Sequence, residues 1–123
     1  MTTSDYRTFA IATACWRAAK SDLHQVMLSV LLVFKNRAAA GYFEGDLYTV
    51  AVNYLVENPG EFPDPRDPEF QQLLNKLDGV ISGQVQDKTD GALWFYPKHE
   101  LDTEKLASGY SITTTIGSLI FIK

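Results

Sequence analysis

The sequence predicts a single α+β domain in which four helices are followed by a small antiparallel sheet near the C-terminus. Apolar residues recur at helical spacing as far as Ile81, whereas the later segments are short, rich in aromatic and β-branched residues, and separated by turns. With 123 residues, 46% of them hydrophobic and 21% charged, the chain has the size and composition of one globular unit. No internal repeat or linker divides it, so residues 1–123 are predicted to form one domain.

Two helices are predicted in the first part of the chain. The first runs from about Asp5 to Ala19, with Ser4 as its N-cap. The second is capped by Ser21 and ends near Ala40, and it is apolar over most of its circumference, which is typical of a helix at the centre of a small domain. Its expected core positions are Leu23, Val26, Met27, Leu28, Val30, Leu31, Leu32, Val33 and Phe34.

Two further helices are separated by a proline-rich loop. The third is predicted from Leu47 to Glu57 with Asp46 as its cap. Residues 58–67 contain three of the five prolines and indicate an extended loop. The fourth helix begins at Asp67-Pro68, with Asp at the N-cap and Pro at the first helical position, and Gly83 ends it.

The stretch 87–97 joins a polar turn to an aromatic strand. Asp and Gly are turn residues, and the aromatic run that follows favours a half-buried strand over residues 92–96. Trp94 and Tyr96 would share one face of that strand, with Leu93 and Phe95 on the other. Trp and Tyr beside Asp form the kind of surface that stacks on a sugar ring and bonds its hydroxyls, although a core strand behind a turn explains the same pattern.

Two more strands are predicted at residues 110–115 and 119–122, joined by a turn at Ile116-Gly117-Ser118. Residues 98–109 between the central stretch and these strands are predicted to be irregular. The three strands together would form the small sheet.

Bulk properties and spacings argue against several kinds of site. The net charge of -4 gives no electrostatic basis for a nucleic-acid partner. The single cysteine, Cys15, excludes an internal disulfide and lies among apolar residues, which predicts a small buried side chain. His24, His99 and Cys15 lack the spacings of zinc ligands, and the glycines follow no nucleotide-binding fingerprint. We therefore predict neither a metal nor a cofactor.

The N-terminal segment mixes acidic and basic residues and lacks the layout of a signal peptide. The longest apolar run, residues 26–34, is too short to span a bilayer. We therefore expect a soluble protein without its own export signal or membrane insertion, cytoplasmic as made or delivered to the cell wall by a phage.

Carboxylates are the remaining candidates for chemistry. Cleavage of a glycosidic bond needs an acid near the leaving oxygen, with its pKa raised by an apolar pocket. By local context the candidates are Asp22, Glu57, Glu61, Asp87 and Asp90. A helix start explains Asp22, a turn explains Asp87 and Asp90, and Glu61 is the least explained, yet a solvated loop glutamate is the simpler interpretation even there. Local chemistry alone assigns no catalytic residue.

Three segments, taken in order and spacing, match a known pattern: Val33-Phe34-Lys35-Asn36-Arg37, Gly60-Glu61-Phe62 and residues 87–95. They resemble the cell wall hydrolase family of the spore-cortex lytic enzymes, which also occurs as short single domains in bacteriophages. That family carries an apolar helix ending in Asn-Arg, a Gln-Phe in the loop and an Asp-x-Thr-Gly-Gly-Ala-aromatic turn and strand. Its final Ile-Gly-x-His-x-Phe strand is partly matched by residues 116–121, and the resemblance spans residues 9–123.

The resemblance implies a lysozyme-like fold and cleavage of peptidoglycan between its two sugars by a lytic transglycosylase. In that mechanism one glutamate protonates the leaving oxygen and then, as a base, helps the sugar's own 6-hydroxyl to close an anhydro ring. The implied partner is a glycan strand. The substrate-binding residues that we predict are Asp87, Thr89, Asp90, Gly91, Trp94 and Tyr96.

The sequence departs from the family pattern at its catalytic position. Counting back from Asn36-Arg37 places Ala18 at the family's glutamate and Asp22 at its second glutamate. Because a methyl group cannot donate a proton, the mechanism needs a replacement acid, for which Glu61 and Asp22 are the candidates. The other departures are Glu61 for Gln, Asp90 for Gly and Leu119 for His.

Three hypotheses follow. The chain is a divergent glycan-cleaving enzyme that uses Glu61 or Asp22. Alternatively, it is a lysozyme-like domain that has lost catalysis and binds a muropeptide or a protein, as a phage protein that sequesters a host factor would. The third hypothesis is an unrelated α+β interaction domain with a chance match at the turn.

Overall fold

The computed structural model describes residues 3–19, 24–41, 45–81, 86–100 and 108–123. Within them the predicted α+β architecture, mostly helical with a small C-terminal antiparallel sheet, is confirmed. The elements in order are α1 (Thr3–Ala19), α2 (His24–Ala40), α3 (Leu47–Glu57), α4 (Pro68–Ile81), β1 (Trp94–Pro97), a 3-10 turn (Lys98–Glu100), β2 (Ile112–Ile116) and β3 (Leu119–Ile122).

Helix α2 is the centre of the domain, as its sequence predicts. It contacts α1, α3 and α4 as well as β1. Val30, Leu31, Val33 and Phe34 have no accessible surface, and the partners on several sides account for the apolar residues around its circumference. The other three helices therefore surround α2, and the sheet lies against one side of it.

Small residues on α1 let this helix approach its neighbours closely. Ala12, Ala14 and Cys15 are completely buried where α1 packs on α2 and α3. Burial raises the pKa of the Cys15 thiol, so this cysteine is an unreactive core side chain, as predicted. The interface between α1 and α3 determines where the ends of these two helices lie.

The predicted caps of α3 and α4 are confirmed. The Asp46 carboxylate accepts hydrogen bonds from the backbone N–H and the hydroxyl of Thr49, each at 3.0 Å, and these bonds lower the pKa of Asp46. Asp67 accepts a bond from the Glu69 N–H at 2.9 Å, and Pro68 occupies the first position of α4. Local sequence signals therefore determine both helix starts.

The sheet has the order β1-β3-β2 and is antiparallel throughout. Its central strand β3 contributes the buried side chains of Phe121 and Ile122, and Phe121 pairs with Phe95 of β1. The predicted strand over residues 92–96 begins two residues later, because the Ala92 N–H is bonded to Thr89 in the turn. The strand predicted from residue 110 likewise begins at Ile112.

Part of the prediction falls outside the described residues. This applies to Asp22 and to the Ser21 cap of the second helix, and to most of the segment that was predicted to be irregular before β2. Among the described helices, none is both long enough and apolar enough to cross a membrane.

Candidate functional site

The turn over residues 87–91 is built around the carboxylate of Asp87. This side chain accepts bonds from the Thr89 N–H at 2.9 Å, the Thr89 hydroxyl at 2.6 Å and the Gly91 N–H at 2.9 Å. The Asn36 amide donates a further bond at 3.0 Å. Burial alone would raise the pKa of Asp87, but these bonds to Thr89, Asn36 and Gly91 outweigh burial and lower it.

The end of α2 holds this turn and the strand that follows it. Asn36 also donates to the carbonyl of Ala92 at 3.0 Å, and the Arg37 Nε donates to the carbonyl of Leu93 at 2.7 Å. Thr89 has no accessible surface. The polar atoms of Asp87 and Thr89 are thus directed into the protein. The Asn-Arg segment at the end of α2 and the Asp-x-Thr segment of the turn are bonded to each other and hold the fold together.

Asp90 and Gly91 form the tight part of the turn, with φ of 55° and 80°. Positive φ favours glycine, and Asp is one of the few other residues that tolerates it. This backbone geometry is a physical reason for a glycine at position 90 in the related pattern, and Asp90 satisfies it with an exposed side chain. Contacts of Asp87, Thr89, Asp90 and Gly91 with a substrate stay predictions.

Beyond the turn, the aromatic residues of β1 divide between the core and the surface. Phe95 packs against Phe34 and Tyr54, with ring centroids 6.0 and 5.9 Å apart. Trp94 and Tyr96 are half-buried, and Trp94 meets the edge of Tyr110 at 4.8 Å. Phe95 therefore fixes the strand to the core, while Trp94 and Tyr96 are partly accessible on its other face.

A cavity of about 370 Å³, which we name the Ala18 cleft, lies between the ends of the helices and the sheet. Its helical wall includes Ala18 from α1 together with Tyr54 and Glu57 from α3. Its opposite wall includes Trp94 and Tyr96. The remaining lining residues are Arg37, Asn58, Phe95, Pro97, Glu100 and Leu119. The fold thus brings together three positions that the sequence singled out, namely Ala18, Trp94 and Tyr96.

A second cavity of about 990 Å³ shares Trp94 with the first. Gly91 and Lys123 lie on its lining, which also contains small side chains and the ring of Tyr110. We name it the Lys123 cleft. Because Trp94 borders both cavities, a long ligand that crosses this tryptophan could occupy both.

No profile of a known protein family matches the sequence, and no curated protein matches it. Two solved structures do match. The catalytic domain of the Bacillus cereus SleB protein superposes with a TM-score of 0.68 at 18% sequence identity, covering 99% of this chain and 93% of that domain. The catalytic domain of the germination-specific lytic transglycosylase SleB from Bacillus anthracis gives 0.67 at 18% identity, covering 100% and 97%.

The fold is that of the SleB catalytic domain. The predicted lysozyme-like fold and the structural resemblance to a spore-cortex lytic enzyme are therefore confirmed over nearly the whole chain. At 18% identity this likeness establishes the fold, and the chemistry of the cleft has to be derived from the residues present in it.

Glu61, the first predicted acid, lies near the end of α1 but outside the lining of the Ala18 cleft. Arg17 donates from Nε and Nη2 to the Glu61 carbonyl, at 3.3 and 2.6 Å, and also to the carbonyls of Asn58 and Gly60. The Arg17 guanidinium lies 5.2 Å from the ring centroid of Phe62. These contacts fix the loop backbone to α1, and the Glu61 side chain is exposed.

Arg37 is the cation among the described residues that line the Ala18 cleft. Burial lowers the pKa of Arg37, whereas electrostatic interactions with Tyr96, Glu57 and Tyr54 raise it. The guanidinium therefore lies within electrostatic range of these three side chains. The guanidinium lies 5.9 Å from the ring centroid of Phe95. Its position is therefore fixed by the core and by β1, and its charge faces the cleft.

Among the described residues, two carboxylates line the Ala18 cleft, Glu57 on the helical side and Glu100 just after β1. The sequence offered Glu57 only as one of several acids, although its spacing three residues after Tyr54 places both on one face of α3. No sequence signal marked Glu100. Among the described residues, no group of three His, Cys, Asp or Glu side chains is arranged to hold a metal ion.

Proposed function

We propose that this chain acts on the glycan strand of peptidoglycan and cleaves it between two sugars in the Ala18 cleft. The observation that carries the proposal is the composition of this cleft. The aromatic residues Trp94 and Tyr96 line it together with the Glu57 carboxylate from the helical side and the Arg37 guanidinium. The SleB domain from Bacillus anthracis, which shares the fold, is a lytic transglycosylase, and this supports the same substrate class.

The shape of the site suits a polymer of sugars. An aromatic ring offers an apolar face for stacking and, in Trp and Tyr, a polar group for a sugar hydroxyl. The two clefts have volumes of about 370 and 990 Å³ and meet at Trp94, so this ring would lie under the middle of a bound strand. Both volumes are in or near the range of ordinary ligand sites, about 300 to 1,000 Å³.

Cleavage requires an acid that protonates the leaving oxygen, and Ala18 provides none. Glu61 and Asp22 are the acids that the sequence proposes. Glu57 and Glu100 are the acids that line the cleft. A single carboxyl group that acts first as an acid and then as a base suffices for a lytic transglycosylase.

Binding without cleavage is the second candidate function, and the methyl group of Ala18 favours it. A cleft that keeps its aromatic wall but has lost its acid would hold a muropeptide without cutting it. A protein that occupies the same cleft is the other form of this alternative, and phage delivery would be one way for either form to reach the cell wall.

The test is incubation of the protein with purified peptidoglycan, followed by mass spectrometry of the soluble products and by a pull-down of the protein with the insoluble wall. Release of anhydro-muropeptides would support a lytic transglycosylase, and ordinary reducing ends would indicate hydrolysis. Binding without release would favour the second candidate. A folded protein that neither binds nor releases anything would contradict the proposal.

The matched variants for this test are Trp94→Ala and Tyr6→Ala. Both remove one aromatic ring, but Trp94 borders both clefts whereas Tyr6 is 61% exposed on α1 and lines neither of them. We expect Trp94→Ala to weaken binding about tenfold, the equivalent of roughly 1 to 1.5 kcal/mol from one stacked ring. Tyr6→Ala should bind like the wild type.

A further inference from the structure

We propose that Glu57 is the general acid of the Ala18 cleft. This assignment rests on the proposed function and differs from the acids that the sequence suggests, Glu61 and Asp22. It follows from the way in which the helices end, from the contacts of the other acids, and from the charge that faces Glu57.

The packing of α1 on α3 places Glu57 beside Ala18. Glu57 is the last residue of α3, one turn after Tyr54, and the following residue Asn58 caps the helix by donating its N–H to the Tyr54 carbonyl. Ala18 is the penultimate residue of α1, and all four of these side chains line one cavity. A carboxyl at position 57 therefore reaches the space that a longer side chain at position 18 would otherwise enter.

The Glu57 side chain is exposed, like that of Glu61, but it lines the cleft, and no described part of the scaffold uses its carboxylate. Within the described residues it makes no hydrogen bond or ion pair with another side chain or with the backbone. Several other acids have structural partners: Asp46 and Asp67 cap helices, Asp64 pairs with Arg66, and Asp87 builds the turn. A carboxyl group that lines a cleft and makes no hydrogen bond or ion pair with the described residues is available for a ligand.

The two walls of the cleft differ in a way that suits this role. Glu57 comes from the helical wall, where Arg37 faces it, and Glu100 comes from the opposite side, where it already interacts with another group. A cation favours the charged form of a facing carboxyl group, so Arg37 stabilises the carboxylate that remains after proton transfer but does not keep the acid protonated beforehand. Arg37, fixed by its bond to the Leu93 carbonyl, provides that cation without needing to move.

Glu57 would serve first as the acid and then as the base of a cleavage that forms an anhydro sugar. The bond between C1 of one sugar and the bridging oxygen breaks, its electron pair remains on that oxygen, and the Glu57 carboxyl gives the oxygen its proton. The 6-hydroxyl oxygen of the same sugar then bonds to C1, and its proton passes to the Glu57 carboxylate. The carboxylic acid is thereby regenerated, and the product is an anhydro sugar.

The first experiment compares Glu57→Gln with Glu69→Gln on purified peptidoglycan. Both variants replace one glutamate by its uncharged amide, but Glu69 is exposed in the first turn of α4 and lines neither cleft. We expect Glu57→Gln to lose about a hundredfold to ten-thousandfold in the rate of anhydro-muropeptide release, the usual effect of removing a general acid. Its binding to the wall should not change, and Glu69→Gln should cleave like the wild type.

A second variant separates catalysis from structure. Glu57→Gln combined with Ala18→Glu returns a carboxyl to the same cleft from the neighbouring helix. Recovery of cleavage in this double variant would show that the loss in Glu57→Gln reflects a missing acid and not a damaged fold. Circular dichroism of each variant establishes that it is folded.

Two outcomes would overturn the assignment while leaving the proposed function in place: Glu57→Gln cleaves normally, or the activity is lost in Glu61→Gln or Glu100→Gln instead. If the wild type binds peptidoglycan and releases nothing while Ala18→Glu alone cleaves it, both the assignment and the proposed cleavage are contradicted, and binding without cleavage is supported. If neither the wild type nor any variant binds or cleaves peptidoglycan, the proposed function itself is contradicted.

Discussion

The turn at residues 87–91, which precedes β1, and the Ala18 cleft, which β1 lines, differ in how their carboxylates are bonded. In the turn, Asp87 accepts four hydrogen bonds from three residues. In the cleft, Glu57 has none from the described residues, and a methyl group lines the wall beside it. Residues that hold the scaffold together are constrained by folding itself, whereas residues that only face a ligand can change without unfolding the domain.

The largest effect on stability is expected from Asp87→Ala. This substitution removes the acceptor of four bonds and leaves the buried hydroxyl of Thr89 and the amide of Asn36 with fewer partners. Since each buried donor left unpaired costs about 1 to 3 kcal/mol, we expect the free energy of unfolding to fall by about 3 kcal/mol or more. Urea denaturation measures this change.

The control for this prediction is Glu57→Gln, which changes a carboxyl in the cleft. It should alter the free energy of unfolding by less than about 0.5 kcal/mol, as for surface positions without structural partners. Asn36→Ala provides a second check, because its effect and that of Asp87→Ala should not add when both are combined. A loss below about 1 kcal/mol in Asp87→Ala would mean that the turn does not depend on its carboxylate.

A smaller effect is expected from pH. The pKa of Asp87 is lowered in the folded protein, because its hydrogen bonds outweigh the opposing effect of burial. Between the lowered pKa and the ordinary value of about 3.9, the unfolded chain binds more protons, so stability falls as the pH falls. The contribution of Asp87 is complete above the ordinary pKa and is lost as the pH drops through the folded pKa.

Urea midpoints of the wild type and of Asp87→Asn, measured from neutral pH into the acid range, test this dependence. The two proteins should differ most near neutral pH, and the difference should shrink as the carboxyl of the wild type takes up its proton. Parallel curves over the whole range would show that Asp87 has the same pKa in the folded and unfolded states.

Several elements that the sequence predicts from local signals agree with the structure, but α1 begins at Thr3, so Ser4 lies inside the helix and is not its N-cap. Asp46 and Asp67 mark the starts of α3 and α4, and β3 has the predicted bounds. The sequence predicts the start of β1 two residues too early. The Ala92 N–H is bonded to Thr89 in the turn, and the aromatic composition of the segment does not indicate where the turn ends. The resemblance added the fold: two of its segments meet where Asn36 contacts the turn, and the third, at residues 60–62, is bonded to Arg17 of α1.

The cleft could not be predicted in the same way. Ala18 and Glu57 are far apart in the sequence, and only the packing of α1 on α3 brings them to one cavity. Glu61 was singled out because no local pattern explained it, yet the structure uses its backbone carbonyl, which any residue would provide, as an acceptor for Arg17. Tertiary packing decides which carboxylates face a cleft, and a single sequence does not show this.

The smallest effect that we predict concerns Asp90, where the related pattern has glycine. Its φ of 55° costs a residue with a side chain some energy, but glycine at the same position has more freedom to lose on folding. The backbone strain of Asp90 and the entropy cost of glycine are similar in size, so Asp90→Gly should change the free energy of unfolding by less than about 0.5 kcal/mol. Asp90→Val should lower it by about 1 to 2 kcal/mol, because a β-branched residue is strained at positive φ. Urea denaturation of both variants tests this, and an equal loss in both would mean that the Asp90 side chain, rather than the backbone angle, stabilises the turn.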